Sequence, residues 1–431
     1  MTGQTTFYGW KLLAVFWLIL FTSFAFPLYG ASVVNAYMAS DLHLDRSALG
    51  LAYGLFQWMV GLPAPLVALC IHTRGVRFTA TLGCFVVMTG ALLMASAVHT
   101  SLGVYVAFSV IIGLGALACG VLGAQSCIGQ WFVKGKARAI TLVHTGSGIG
   151  GFVAAPTLDR VIRHFGGNWR AGWWLMAGLS LFAAALAAFF IKETPAALGQ
   201  FPDGRAPTDA PSSGSAGRAP AKGVHKTTDE WTLRDVFQSP AIWLILFSSL
   251  GISAGYPLML AHGVVHLKDL GYTASQAAFS ISFMLFASLA GQLIVVVWGD
   301  RIEPRVIWAV ASAVFGVGMI LATHASGRAG LYLYAACLGA GFGASFSCLM
   351  TLPGNYFGRK AYASILGVMI AVGTTAGALG PYLAGIVYDR YASYAPAFYS
   401  VSGLSFVAII ALLFATPPVR RIAPSLAPAI Q

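Results

Sequence analysis

Charged residues are scarce in this sequence. Asp, Glu, Lys and Arg together make up 9% of its 431 residues, against 58% hydrophobic, whereas a water-soluble domain carries about a quarter charged residues. The shortage excludes an ordinary hydrated surface, and with a mean hydropathy of +0.78 the solvent of the chain is lipid. The alternating pattern of a membrane β-barrel is missing too, which leaves helices as the spanning elements. What is present is a series of apolar runs near 10–37, 49–71, 78–98, 104–131, 140–163, 170–191, 239–267, 275–298, 306–325, 330–357, 363–389 and 395–416. Each is long enough to cross a bilayer, which takes about 20 helical residues, and the pattern predicts twelve spans.

Acids are the rarest class. All 13 sit at span ends or in loops, so no carboxylate is expected at mid-bilayer as a proton carrier, and no Lys or Arg lies there either. The 6 cysteines, Cys70, Cys84, Cys119, Cys127, Cys337 and Cys348, all fall inside spans without metal-ligand spacing. They are expected as small packing residues, with no disulfide, no metal site and no cofactor. The first run lacks a small-residue cleavage site and reads as a retained helix. Of the 25 basic residues, 18 fall in the even-numbered loops and termini and 7 on the other face. The positive-inside rule then predicts an inner-membrane protein with both termini cytoplasmic. The same distribution explains the net charge of +12 as topology and contact with lipid. A nucleic-acid partner is not expected, because no basic cluster sits on a soluble domain.

Residues 194–230 are rich in Pro, Gly, Ala and Ser and bury too little apolar surface to fold alone. They divide the chain into an N-terminal six-helix bundle, 1–193, a linker, 194–238, and a C-terminal six-helix bundle, 239–431. At the end of the linker, WTLRDVFQSPAIW places Thr232 and Asp235 at capping-box spacing, which fits either a short surface helix or more linker. The two bundles repeat each other. Trp131-Phe132 matches Tyr356-Phe357, Pro156 matches Pro381, and Gly178-Leu179-Ser180 matches Gly403-Leu404-Ser405, all at an offset of 225. Upstream the offset drifts to 228, where GLGA at 113–116 meets GFGA at 341–344. Two parallel six-helix repeats are one architecture of secondary transporters.

FYGWK at 7–11, QWFVKGKARAI at 130–140 leading into GSGIGG, SPAIWL before the seventh run and GDRIEPR at 299–305 give the whole chain a resemblance to a known family. It resembles the major facilitator superfamily, and within it the monocarboxylate-transporter and oxalate/formate-antiporter branch. The resemblance implies an all-α membrane fold of twelve helices in two bundles and a transporter rather than an enzyme. It also implies a cytoplasmic gate latched by an Asp-Arg-x-Gly-x-Arg turn in each half. The second turn keeps Asp300, Arg301 and Arg305, with Glu303 where glycine is usual; the first reads His72-Thr73-Arg74-Gly75-Val76-Arg77 and must latch differently. In this branch an arginine of span eight pairs with the substrate carboxylate, but here the position is Gln292, between Gly291 and Leu293. Gln292 donates hydrogen bonds without a countercharge, which argues for a larger, more apolar acid than oxalate, such as an aromatic or hydroxylated carboxylate.

GSGIGG at 146–151 spells a dinucleotide fingerprint, yet no strand precedes it. Glycines at helical spacing are expected to bring membrane helices close together, as are Gly373, Gly377, Gly380 and Gly385 in span eleven. His144 lies about 9 Å inside Arg138 (six residues at 1.5 Å), and its repeat counterpart is Met369. It is a candidate both to hold a carboxylate and to carry a coupled proton, against the plainer reading of an imidazole bonded to a backbone carbonyl. His262 is a candidate for an outer gate, and with His266 one turn on it lacks the third ligand a metal would need. Tyr29, Gln57, Gln125, Tyr256 and Tyr382 complete the candidate substrate site as donors on an apolar wall, each with a rival reading as helix packing. The expected function is alternating-access transport of an organic monocarboxylate-like anion by a monomer bound only by lipid, with protons as possible co-substrate. The rival readings are a carrier of a more neutral compound, such as a drug or siderophore, and a membrane sensor on the same scaffold.

Overall fold

The computed structural model describes residues 7–132, 136–204, 224–227, 229, 231–299 and 301–418. Among these it holds helices and no strand. The spans are α1 (Gly9–Asp41), α2 (Arg46–Gly61 and Ala64–Arg74, bent by 41°), α3 (Val76–Ser96), α4 (Ser101–Trp131), α5 (Lys136–His164) and α6 (Arg170–Phe190). After the linker come α7 (Pro240–Asp269), α8 (Ala274–Trp298), α9 (Pro304–Thr323), α10 (Gly327–Gly358), α11 (Ser364–Tyr391) and α12 (Ala395–Phe414). Ten of these are long and apolar enough to cross a membrane by themselves, and the bent α2 makes an eleventh. The exception is α5: at 29 residues it is long enough, but His144, its Ser, Thr and Gly residues, the basic groups at its start and Asp159, Arg160 and Arg163 toward its end dilute its hydropathy. Between α10 and α11, Gly358 takes φ +72°, a conformation that only glycine adopts without strain.

Twelve helices form two bundles, and the internal repeat is visible in their packing. Trp131 and Tyr356, matched in sequence, are both fully buried and tie the fourth helix of each bundle to the end of the sixth. Trp131 Nε1 donates to the Lys192 carbonyl at 2.9 Å, and the Tyr356 hydroxyl to the Ala415 carbonyl at 3.0 Å. Phe7 and Tyr8 pack against Trp131, as His225 packs against Tyr356 and Trp231 against Phe357. Of the linker, 205–223, 228 and 230 lie outside the described residues. Its first part is fastened to the N-terminal bundle, where Gln200 accepts from the Tyr8 amide at 3.0 Å. Its last part is fastened to the C-terminal bundle, where the Thr227 amide donates to Asn355 at 2.8 Å. Thr232 and Asp235 form the capping box of a six-residue helix, Leu233–Gln238.

The bundles meet along two seams, α2 with α11 and α5 with α8. Gly50 and Gly54 of α2 lie against the carbonyls of Pro381 and Ala378, and Gly385 of α11 against the backbone of Arg46 and Ser47, with no room for a Cβ. On α5, Gly146 and Gly150 meet the carbonyls of Trp17 and Phe21 in α1, while Gly148 and Gly151 meet Leu289 and Leu285 of α8. The glycines of GSGIGG therefore make close approach possible, as small residues do between membrane helices.

Among the described residues, the hydrogen bonds that join the bundles gather toward the end of the molecule away from the termini. Arg46 Nη2 reaches Asp269 at 3.3 Å. The Asp389 carboxylate accepts from the amides of Arg46 at 3.0 Å and Ser47 at 2.9 Å. Ser275 donates to Asp159 at 2.8 Å, and Ser32 accepts from the Val264 amide at 3.3 Å. Toward the termini, Gln125, Leu142, Phe346 and Ile370 are exposed. The seam is sealed at the far end.

Candidate functional site

Gln125 and His144, chosen separately from the sequence, are brought together. Beyond a break in α4 at Gly120 (φ −84°, ψ −142°), Gln125 Nε2 lies 3.1 Å from His144 Nε2 on α5. The ring nitrogen accepts from the amide NH2 in the Nδ1–H tautomer and donates to the amide oxygen once the amide is turned over. The His144 carbonyl accepts from Ser147 at 2.9 Å, and next to it Thr145 accepts from Trp17 Nε1 at 3.1 Å. In the register of the repeat Gln125 and His144 correspond to Met350 and Met369. The first bundle thus carries two polar residues where the second carries two methionines.

Deeper in, aromatic rings converge. Tyr256 is buried and stacks on Phe342 with ring centroids 3.7 Å apart and 6° between planes, and Phe346 continues the row at 5.7 Å and 21°. Tyr29 packs over Gly151, and Tyr29, Tyr53 and Tyr256 are near enough to act on one another electrostatically. The pair at the centre therefore includes Tyr29 and Tyr256 from opposite bundles. Gln57 joins the α2–α11 seam with its amide toward Gly377. Gln292 is half-buried on α8 beside the exposed Leu293.

Two candidates stand apart from this group. His262 is completely buried and holds helices together: its Nε2 meets the Pro381 carbonyl at 2.9 Å and its Nδ1 the Tyr394 hydroxyl at 3.1 Å. His266 is bonded separately, to the Ala322 carbonyl at 2.8 Å. Tyr382 lies near Tyr105, its backbone against Gly50, toward the far end. Of the second gate turn, Asp300 lies outside the described residues. Arg301 sits over the Trp298 ring at 5.8 Å, Arg305 donates to the Leu413 carbonyl at 3.4 Å, and Glu303 accepts from the His225 amide at 2.9 Å.

The first turn has its own fastening, which sequence reasoning missed. Glu193, just beyond α6, packs its carboxylate on Gly75 (φ +87°) and accepts from the Arg77 amide at 3.1 Å. Asp159 was also passed over, as a span-end acid. It is 1% exposed, accepts from Tyr37 at 2.9 Å and Ser275 at 2.8 Å, and pairs with Arg163 at 2.8 Å. The signal was available: Asp159 and Arg163 stand four apart, one helical turn, inside a run otherwise read as apolar.

A family model described as Major Facilitator Superfamily matches residues 15–288 and 264–430. Among curated proteins, monocarboxylate transporter 12-B of Danio rerio is 24% identical over 87% of this chain and 80% of its own. Monocarboxylate transporter 1 of Homo sapiens is 25% identical over 90% of this chain and 80% of its own. Among solved structures, the nucleoside transporter NupG superposes with a TM-score of 0.72 at 13% identity, covering 94% of this chain and 99% of that one. A D-xylose-proton symporter does so with a TM-score of 0.71 at 12% identity, covering 96% and 98%. The two structures share the fold.

Proposed function

The chain belongs to the major facilitator superfamily, and from that premise we propose that it moves an organic anion of the monocarboxylate type across the inner membrane by alternating access. It is a transporter and not an enzyme. The termini lie in the cytoplasm, where 18 of the 25 basic residues then fall, and a central cleft opens to that side. Residues 1–193 and 239–431 are the two rocking bundles, 194–238 their tether, and the turn at Asp300, Arg301 and Arg305 belongs to the cytoplasmic gate.

The observation that carries this reading is the Gln125–His144 contact at 3.1 Å, two polar side chains paired within membrane-spanning helices. A neutral imidazole becomes a cation on taking a proton, and supplies the countercharge that Gln292 lacks. Protonated, Nε2 becomes a donor, so Gln125 must turn its amide over to offer oxygen. Anion and proton then enter together, with no fixed charge in the middle of the bilayer. Relatives bearing the name monocarboxylate transporter support the class of substrate. Gln57, Tyr29 and Tyr256 form the inner wall.

The test is uptake of a radiolabelled monocarboxylate into proteoliposomes with an imposed pH gradient, comparing wild type with His144→Ala and His144→Gln. Gradient-driven uptake is expected to fall at least tenfold in both variants, since loss of an ion-paired hydrogen bond costs about 1.5–3 kcal/mol. Counterflow exchange at symmetric pH should survive in His144→Gln. Unchanged gradient-driven uptake in both variants removes His144 from the coupling. A neutral substrate is the rival, favoured by the lack of a buried Lys or Arg among the described residues. Stabilisation of the purified protein by neutral compounds alone would replace the anion reading.

A further inference from the structure

The start of α8 repeats the start of α2. Asp41-Leu42-His43-Leu44-Asp45-Arg46-Ser47 aligns with Asp269-Leu270-Gly271-Tyr272-Thr273-Ala274-Ser275 at the offset of 228. The backbone keeps this register: His43 and Gly271 both take positive φ, +49° and +88°, and Asp45 and Thr273 are the N-caps of the two helices. Ser47 and Ser275 therefore hold the same place, the second residue of the helix. Each is bound by an acid from the fifth helix of the opposite bundle. Asp389 of α11 accepts from the Ser47 amide at 2.9 Å, and Asp159 of α5 accepts from the Ser275 hydroxyl at 2.8 Å.

The acids themselves are not matched. At the offset of 225 Asp159 meets Ala384 and Asp389 meets His164, so the same clasp is reached by different residues. Asp159 is 1% exposed. Besides Ser275 it binds Tyr37 of α1 at 2.9 Å and Arg163 Nε at 2.9 Å. Both belong to its own bundle, so the carboxylate keeps its charge partner when the seam parts and no unpaired buried charge is left behind. Ser275 belongs to the other bundle, as does Lys268, whose Nζ lies over the Tyr37 ring at 5.5 Å. Further in, the α5–α8 seam carries apolar contacts, Phe152 packing against Phe279 and Phe286. Between membrane helices such packing has no hydrophobic driving force behind it, which gives weight to the hydrogen bonds at the rim.

We propose that Asp159–Ser275 and Asp389–Ser47 are the paired clasps of the gate at the far end, one on each seam, and that a single rigid-body motion of the bundles releases both. Asp159 is thereby a gate residue, and Tyr37 and Arg163 are positioning residues that hold its carboxylate toward α8. The assignment rests on the alternating-access reading above and is independent of the substrate.

The test places spin labels on cysteines at Ser40 and Ser326, both exposed and one on each bundle at the far end, in a background without the native cysteines. Double electron–electron resonance in proteoliposomes, with and without an imposed pH gradient, then reads the ratio of long to short distances. Ser275→Ala removes one clasp and leaves Asp159 its partners within the bundle. The ratio should rise about tenfold, the effect of losing one hydrogen bond to a charged group. Ser275→Thr keeps the hydroxyl and should restore the wild-type ratio, with thermal melting unchanged in both variants. Asp389→Asn should give a similar rise, and the double variant with Ser275→Ala the product, about a hundredfold, because one motion breaks both clasps. Two distances in wild type that Ser275→Ala does not redistribute, or a rise that Ser275→Thr shares, overturns the role of Asp159. A double variant no more open than either single variant overturns the joint release. One distance in wild type under every condition overturns the alternating-access reading and the gate with it.

Discussion

At the scale of single residues, the repeat predicts opposite outcomes for substitutions at glycines. Gly178 and Gly403 are matched at an offset of 225, and a Cβ at either would meet nothing within 4 Å. Gly178→Ala and Gly403→Ala are therefore expected to be neutral or to stabilise by up to about 1 kcal/mol, the helix-propensity difference. Gly54 faces the Ala378 carbonyl across the seam with no space for a side chain. Gly54→Leu should abolish uptake, and thermal melting of the three purified variants alongside vesicle uptake checks both expectations. Such differences were not visible in the letters, where all three glycines stand in similar apolar surroundings. The polar pair was half legible: Gln125 and His144 stood out as polar groups in apolar runs, but nothing in a 19-residue separation says that they touch. His262 stood out for the same reason, and both of its ring nitrogens are satisfied among packed helices.

Among the elements, length and hydropathy made the spans readable, because each apolar run has only the helix as a way to satisfy its backbone in lipid. Irregularities were not readable. The wider-pitched stretches Leu20–Phe24 in α1 and Tyr105–Ile112 in α4 and the break at Gly120 depend on neighbours that sequence periodicity does not record. The drift of the repeat offset from 228 to 225 does fall across that break, between 116 and 131. The start of α2 shows how one element can rely on another. Its own N-cap, Asp45, makes no side-chain cap, and the free donors of the first turn are taken by Asp389 from α11. Carboxylates are favoured at helix N-termini by hydrogen bonding and by the dipole. Asp389→Asn keeps the size and loses the charge, so the far end should open more often. Labelling of a cysteine placed at Ser32, buried between the bundles, by a bulky maleimide in a background without the six native cysteines should speed up about tenfold, the effect of about 1.4 kcal/mol on an equilibrium. An unchanged labelling rate would show that Asp389 does not hold the far end shut.

In the whole molecule, symmetry is strict where helices pack and relaxed where the cleft is lined. Trp131 and Tyr356 keep equivalent bonds at equivalent places, whereas Gln125 and His144 correspond to Met350 and Met369. Duplication could be read from the sequence because packing demands the same small and aromatic residues in each copy. The substrate could not, because its site is composed of differences between the copies and of their distance in space. The carboxylate of Asp389 carries a further consequence for the assembled protein. It completes the first turn of α2 only while the two bundles are closed at that end, so each opening hands the amides of Arg46 and Ser47 to water. Those two amide hydrogens should exchange with deuterium in proportion to the time spent open, slowly in the form described and faster once an occupant draws the bundles into the opposite posture. Mass spectrometry of the peptide spanning them would then count the transporter's strokes without any added label.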